Sequence, residues 1–252
     1  MTRAFPLLAE LQPVRWNDDG LVLMPAAAND VVTVQRALAR CPLPLVPLVG
    51  TPLGIWPDPP SRWSSGIYRR SPVHAPAPPG IPEIIQSAGD GFGPGDHQTT
   101  MMCLERLREL PSGDALDVGC GSGLLALAWA RLGKGNVYAI DVDARATRQT
   151  AASAEHSGLR EQITVECTRV NAQTVEDAGA TTVLANVPAE VHLGLALALT
   201  RHVPRAALIS GIRPSEAAIT LAAYSHLGLR RSGASRRGRW ECHLMVAEGS
   251  TR

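Results

Sequence analysis

The sequence is short of the features that mark an exported, metal-bound or membrane-embedded chain. Its five cysteines, at 41, 103, 120, 167 and 242, form no C-x-x-C pair and are odd in number. Neither a disulfide framework nor a zinc cage is therefore expected, and no metal site is predicted. The first residues, Met-Thr-Arg-Ala-Phe-Pro, run into charged residues without the apolar segment of a secretory leader, and no apolar stretch reaches bilayer length. A reducing, cytoplasmic setting without membrane contact is the expectation. Charge of one sign is also missing, since 24 basic against 23 acidic residues give a net charge of +1. No global field then draws the molecule to nucleic acid or an anionic surface, and no direct nucleic-acid contact is required. The local exception is the run Arg230-Arg231-Ser232-Gly233-Ala234-Ser235-Arg236-Arg237-Gly238-Arg239. It reads first as a solvated basic hairpin, and second as a contact for an acidic or RNA-bearing partner.

What is present is enough apolar material for a sizeable core, 45% of 252 residues. Prolines cluster between Pro42 and Pro82, which removes backbone donors and reads as a linker or extended wrap. Upstream, "GLVLMP" (20–25) suggests a strand, and "NDVVTVQRALARC" (29–41) a helix capped by Asn29. A small proline-rich N-terminal region at 1–80, a candidate substrate-recognition element or lid, is thus set apart from a larger domain at 81–252. In the latter, a helix "HQTTMMCLERLREL" precedes the apolar strands "ALDVG", "VYAID", "ITVEC", "TTVLAN" and "AALISG". Helix-like stretches alternate with them, with Gly133, Gly158 and Gly228 as stops. Such alternation predicts an α/β fold with a mostly parallel sheet covered on both faces. The end, "LRRSGASRRGRWECHLMVAEG", predicts an antiparallel hairpin around a glycine-containing turn.

Between the first of these strands and its helix lies "DVGCGSG", residues 117–123. Glycines after a strand let a ligand lie against the backbone and the helix N-terminus. The spacing of Gly119, Gly121 and Gly123, with Leu124 following, is G-x-G-x-G and not the G-x-G-x-x-G of most dinucleotide enzymes. It resembles the loop of S-adenosylmethionine-dependent methyltransferases. Asp141, ending the next strand, is placed to accept hydrogen bonds from both ribose hydroxyls of a nucleoside, and Asp117 to approach a methionine ammonium. Cys120 reads as a small residue filling the turn.

Two flanking segments extend the pattern. "GFGPGDHQTT" (91–100) reads as a tight turn feeding a helix, with Thr99 and Thr100 able to cap it or touch a ligand. "LANVPAE" (184–190) places Asn186 at the carboxyl edge, where open α/β sheets bind ligands. The ordered set "FGPGDHQTT", "DVGCGSG", "DVD", "ANVPA", "LISGI" and "WECHLMVAEG" resembles the PrmA-type methyltransferases, which methylate amino groups of a large-subunit ribosomal protein. The likeness covers about residues 90–249. It implies a Rossmann-like class I methyltransferase fold with a seven-stranded sheet, and S-adenosylmethionine as cofactor, contacted by Thr100, Gly119, Asp141 and Asn186. Phe92 and Gly93 would shape the adjoining pocket, and His97 matches the family histidine. Pro94 replaces the family threonine, Pro188 sits inside the asparagine segment, and the N-terminal region has no likeness to the family's substrate-recognition domain.

Methyl transfer from a sulfonium needs positioning and desolvation of a deprotonated nucleophile more than a strong base. The expected acceptor is a protein amino group, oriented by the Asn186 carbonyl, with His97 as the second catalytic candidate. Glu190 and His192 fit a helix face better. Protein arginine methyltransferases use two glutamates after this strand, and only Glu190 stands here. Two alternatives stay open: a small-molecule or peptide methyltransferase reusing the core, and a non-catalytic module that binds S-adenosylmethionine or a protein.

Overall fold

In a computed structural model of the chain, the apolar segments that alternate with helices form one twisted sheet. The structure describes residues 66–72, 74–87 and 97–248, together with the strand backbones at 11–17, 20–25 and 61–62. The helix expected over 29–41 and the residues Phe92, Gly93 and Pro94 lie outside the described residues. Two compact units divide the chain, Met1–Pro52 and Leu53–Arg252. In the first, β1 (Leu11–Asn17) and β2 (Gly20–Pro25) pair antiparallel.

In the second unit, β3 (Ser61–Arg62), β4 (Tyr68–Arg70) and β5 (Glu83–Ile85) form a small sheet. Two of its strands are three-residue pieces, as short as strands become when prolines flank them. Arg70 clamps β4 to β5 through a bidentate pair with Glu83, at 2.8 and 3.0 Å, which holds the Glu83 carboxyl below its ordinary range.

The main sheet is built from β6 (Ala115–Val118), β7 (Val137–Asp141), β8 (Ile163–Cys167), β9 (Thr182–Asn186), β10 (Ala206–Ile212), β11 (Leu229–Arg237) and β12 (Trp240–Ala247). Their order is β11-β12-β10-β9-β6-β7-β8. β8, β7, β6, β9 and β10 run parallel, and β12 pairs antiparallel with β10 and β11. Every residue of β6 is buried, as a strand covered on both faces requires. The expected hairpin turns at Gly238, whose φ is +54°.

Helices cover both faces: α1 (Gln98–Arg106), α2 (Leu124–Arg131), α3 (Ala144–His156), α4 (Ala172–Ala178), α5 (Ala189–Ala198) and α6 (Pro214–Ser225). One layer of the core centres on Trp129, Leu127 and Met102, the other on Leu195, Tyr224 and Met245. The glycines expected as helix stops, 133, 158 and 228, all take positive φ. The helix expected from residue 97 tightens to a 3₁₀ turn at Leu107–Glu109. Helix α4 is absent from the sequence reading. It is only seven residues long, and its evident signal is the capping box between Asn171 and Thr174.

Residues 85–87 strap onto α3. The Ile85 and Ser87 N–H groups donate to Ser157 Oγ and Ser153 Oγ, and Gln149 Nε2 donates to Ser87 O. The strap fixes residues 85–87 alongside the helix that follows β7.

His192 of α5 is fully buried between α6 and β10, its ring nitrogens 2.9 Å from Tyr224 Oη and 2.9 Å from Ser210 O. Burial pulls its pKa down to about 4, against the lesser opposing pull of the Ser210 carbonyl. The unfolded chain, whose His192 titrates near the ordinary histidine value of 6.5, therefore binds more protons between the two values. His192 should thus support full stability above about pH 6.5 and withdraw up to about 3 kcal/mol as pH falls toward 4. Urea unfolding at pH 7.0, 5.5 and 4.5 measures this, and His192→Gln is expected to flatten the fall.

Candidate cofactor and acceptor site

The carboxyl ends of the parallel strands open into a cavity of about 660 Å³, at the point where β7 and β9 diverge on either side of β6. The glycine turn forms its floor. Gly119, Gly121 and Gly123 take φ of +68°, +56° and +83°, the left-handed region that glycine occupies without penalty. A Cβ on Gly119 would stand 2.4 Å from Val187 Cγ1, so this position must also be bare for β9's continuation to pass. Gly123 caps α2 and lies against Thr150, whose hydroxyl donates to Gly121 O at 3.1 Å. Cys120 is buried in the turn, 3.5 Å from Thr150 Oγ1, and desolvation raises its thiol far above the ordinary range. It fills space, as its sequence context suggests.

The two acids of the pattern have different surroundings. Asp141, at the end of β7, lines the cavity and is half-buried. Its Oδ2 accepts from the Gly121 N–H at 3.0 Å and its Oδ1 from the Asp143 N–H at 2.9 Å. A carboxylate so fixed can accept further hydrogen bonds from a vicinal diol in the cavity. Asp117 is 1% exposed and does not line the cavity; its Oδ2 accepts the Ala126 N–H of α2 at 3.1 Å. Burial pushes its carboxyl up to about 7, opposed by that N–H and reinforced by the charge of Asp141. Its observed partner is thus the first turn of α2.

On the opposite wall stands the start of α1. His97 caps the helix, its Nδ1 2.7 Å from Thr99 Oγ1 and accepting the Thr99 N–H at 3.4 Å. His97 and Thr99 line the cavity, while Thr100 is buried behind them. Thr100 accepts from Asn186 Nδ2 at 3.3 Å, which joins α1 to the end of β9. Asn186 lines the cavity, and its Oδ1 is buried with no hydrogen-bond partner. A buried acceptor left unpaired costs about 1–3 kcal/mol, so this oxygen is poised for an N–H or O–H donor. Glu190 is exposed at the rim, whereas His192 is buried away from the cavity.

Several contributors escaped the sequence reading. Trp240 lines the cavity with its ring 5.6 Å from His97, edge to face. Thr168 and Arg169, just beyond β8, also line it, at a place where sequence offers only the end of a strand. Gly211 takes φ +84°, and a Cβ there would meet Val187 O at 2.5 Å. Its signal was the glycine inside an otherwise apolar strand, which marks a close backbone approach. Among the described residues no cluster of His, Cys, Asp or Glu could hold a metal, and no helix is long and apolar enough to cross a membrane.

A glycine turn at the switch point, an acid ending the next strand and an antiparallel hairpin at one edge define the Rossmann-like class I methyltransferase fold. The solved ribosomal protein L11 methylase of Lactobacillus delbrueckii subsp. bulgaricus shares it, with a TM-score of 0.63 and 23% identity over 73% of this chain and 96% of that one. The family described as Ribosomal protein L11 methyltransferase (PrmA) matches residues 82–248, and the chain belongs to it. Curated relatives of that name include one from Gloeobacter violaceus, 36% identical over 68% of this chain and 54% of its own length. Another, from Pelotomaculum thermopropionicum, is 38% identical over 62% and 52%. The chain thus spans about half the length of the curated relatives it matches.

Gly211 and Gly133 share a positive φ but differ in what a Cβ there would meet. Gly211→Ala would press on backbone in a left-handed conformation, whereas Gly133→Ala, at φ +66° with nothing within 4 Å, meets open space. Gly133→Ala should cost about 1–2 kcal/mol from backbone conformation alone. Gly211→Ala should cost more than that, by chemical denaturation, and should weaken cofactor binding as well.

Proposed function

We propose that the chain is an S-adenosylmethionine-dependent methyltransferase that methylates amino groups of a ribosomal protein of the L11 kind. The observation that carries this reading is the buried, unpartnered Oδ1 of Asn186 on the cavity wall. The cavity's residues fit the cofactor. Gly119 and Gly121 present bare backbone, Asp141 offers the ribose a fixed carboxylate, and Thr99 and Thr100 frame the facing wall. Phe92 and Gly93 are assigned to the adjoining wall by their match to the family segment. Gly123 and Asp117 act from behind, one starting α2 and the other holding its first turn.

When bound, the cofactor supplies a methyl group activated on a sulfonium. Asn186 accepts an N–H of the neutral amine at Oδ1 and so turns the nitrogen lone pair toward the cavity. Its amide does not titrate, so it orients the amine without removing a proton. His97 acts as a positioning residue: as cap of α1 it fixes Thr99 and, through Thr100, the Asn186 amide. Glu190, exposed at the rim, favours the approach of a cationic side chain.

The test uses the full chain with labelled cofactor and a cell extract or purified ribosomal protein L11. Label on that protein is expected. Label confined to the low-mass fraction, or cofactor binding without transfer, would overturn the assignment. Asn186→Ala should lower transfer by about tenfold to a hundredfold, from loss of one hydrogen bond in a buried site. Asp141→Asn should weaken cofactor affinity by a similar factor in calorimetry, since charge-assisted hydrogen bonds are the stronger kind.

A further inference from the structure

We infer that the arginine-rich hairpin at the sheet edge, β11 and β12, is a contact surface for single-stranded RNA running past the mouth of the cavity. This goes beyond the proposed methylation and does not depend on it.

Charge is polarised on this molecule. Residues 229–240 hold five arginines and no acid, which leaves 19 basic against 23 acidic residues in the rest of the chain. β11 is the outermost strand of the main sheet, and its register spreads the arginines over both faces. Arg230 and Arg237 stand opposite Val246 and Trp240, whereas Arg231 and Arg236 stand opposite Met245 and Glu241. Arg230, Arg231 and Arg236 are exposed and form no ion pair among the described residues. Glu241, the acid facing Arg236 across the ladder, is bonded instead to His243 Nε2 at 2.9 Å.

The hairpin is firmly held. Arg106 of α1 donates to Ala234 O at 2.7 Å and Ser235 Oγ at 3.2 Å, and Arg237 pairs with Glu105 at 2.8 Å. The basic edge is therefore a rigid strand of nine residues, roughly 30 Å long, enough for several nucleotides. At its turn it meets the cavity. Arg213 and Arg239 lie 5.9 and 6.0 Å from the ring centre of Trp240, which lines that cavity. Guanidinium groups beside an aromatic ring at the end of a basic track are what a stacked base and its phosphates require.

The side chains between the arginines choose between polyanions. Ser232, Gly233, Ala234, Ser235 and Gly238 offer no apolar anchor. A protein partner draws its affinity from anchors buried in well-packed pockets, whereas phosphates are held by exposed charge and hydrogen bonds alone. The competing occupant is an acidic segment that adds as a strand to the outer edge of β11.

Fluorescence anisotropy separates the two. The full chain is titrated into a fluorescein-labelled 15-nucleotide single-stranded RNA and, separately, a labelled 15-residue polyglutamate, at several salt concentrations between 50 and 200 mM. RNA binding is expected, with log K falling against log salt at a slope of about −3 for four arginine contacts. The variant R230A/R231A/R236A/R239A should lose at least about tenfold in affinity and most of that slope. R160A/R201A, which removes exposed arginines elsewhere, should change neither, and R230A/R231A alone should give an intermediate loss. Circular dichroism of each variant guards against a folding defect. The inference is overturned if no RNA binds at 50 mM salt, if the quadruple variant binds as well as the parent, or if polyglutamate binds as tightly as RNA. Methyl transfer is not read at any stage, so the outcome stands apart from the methylation test.

Discussion

The site hangs on the passage of one residue, Val187, between two bare glycines. Its side chain lies where a Cβ of Gly119 would be, and its carbonyl where a Cβ of Gly211 would be. The Val187 N–H donates to Ser210 O at 3.1 Å, so the continuation of β9 is tied to β10 just where β10 bulges. This three-way approach brings the ends of β6, β9 and β10 closer than side chains on both glycines would allow. Asn186 comes immediately before the wedge and Pro188 immediately after it. Both the placement of the Asn186 amide and the start of α5 at Ala189 therefore follow from how tightly Val187 is seated.

Two carboxylates then divide the remaining work by environment. Asp141 keeps the glycine turn in shape by accepting from Gly121, and it does so with one oxygen on the turn and the other on the Asp143 N–H. The turn is thus ordered by the same acid that faces the cavity, a form of preorganisation that spends no ligand binding energy on folding the loop. Asp117 sits one layer deeper, where desolvation opposes its charge and the Ala126 N–H supports it. Its place is under α2, and the negative charge of Asp141 adds to the cost of ionising it.

Much of this was legible in the residues, because the strongest signals are local. Continuous apolar strands, the G-x-G-x-G turn, the acid ending the next strand and the late hairpin each have a short-range physical cause. What escaped depends on tertiary approach. Trp240 and His97 are 143 residues apart in number and meet only because β12 pairs with β10 beneath α1. The role of Thr150 in holding Gly121 needs α3 to fold back over the turn. Asp117 adds a partner that its motif position does not show, the Ala126 N–H of α2. Helix α4 was missed because a seven-residue helix with two buried residues has almost no periodicity to detect.

The titratable groups also separate stability from chemistry. His192, the histidine whose pKa burial lowers most clearly, lies behind the wall and not in the cavity. Its protonation therefore erodes the packing of α5 and α6 on β10 below about pH 6.5, and it acts at Ser210 O, the carbonyl that also ties Val187 to β10. The amine acceptor proposed for this site, in contrast, would have to lose its own proton before its lone pair could be turned toward the cavity, and this is favoured as pH rises. The two demands point the same way: the fold is most secure where the acceptor is most reactive.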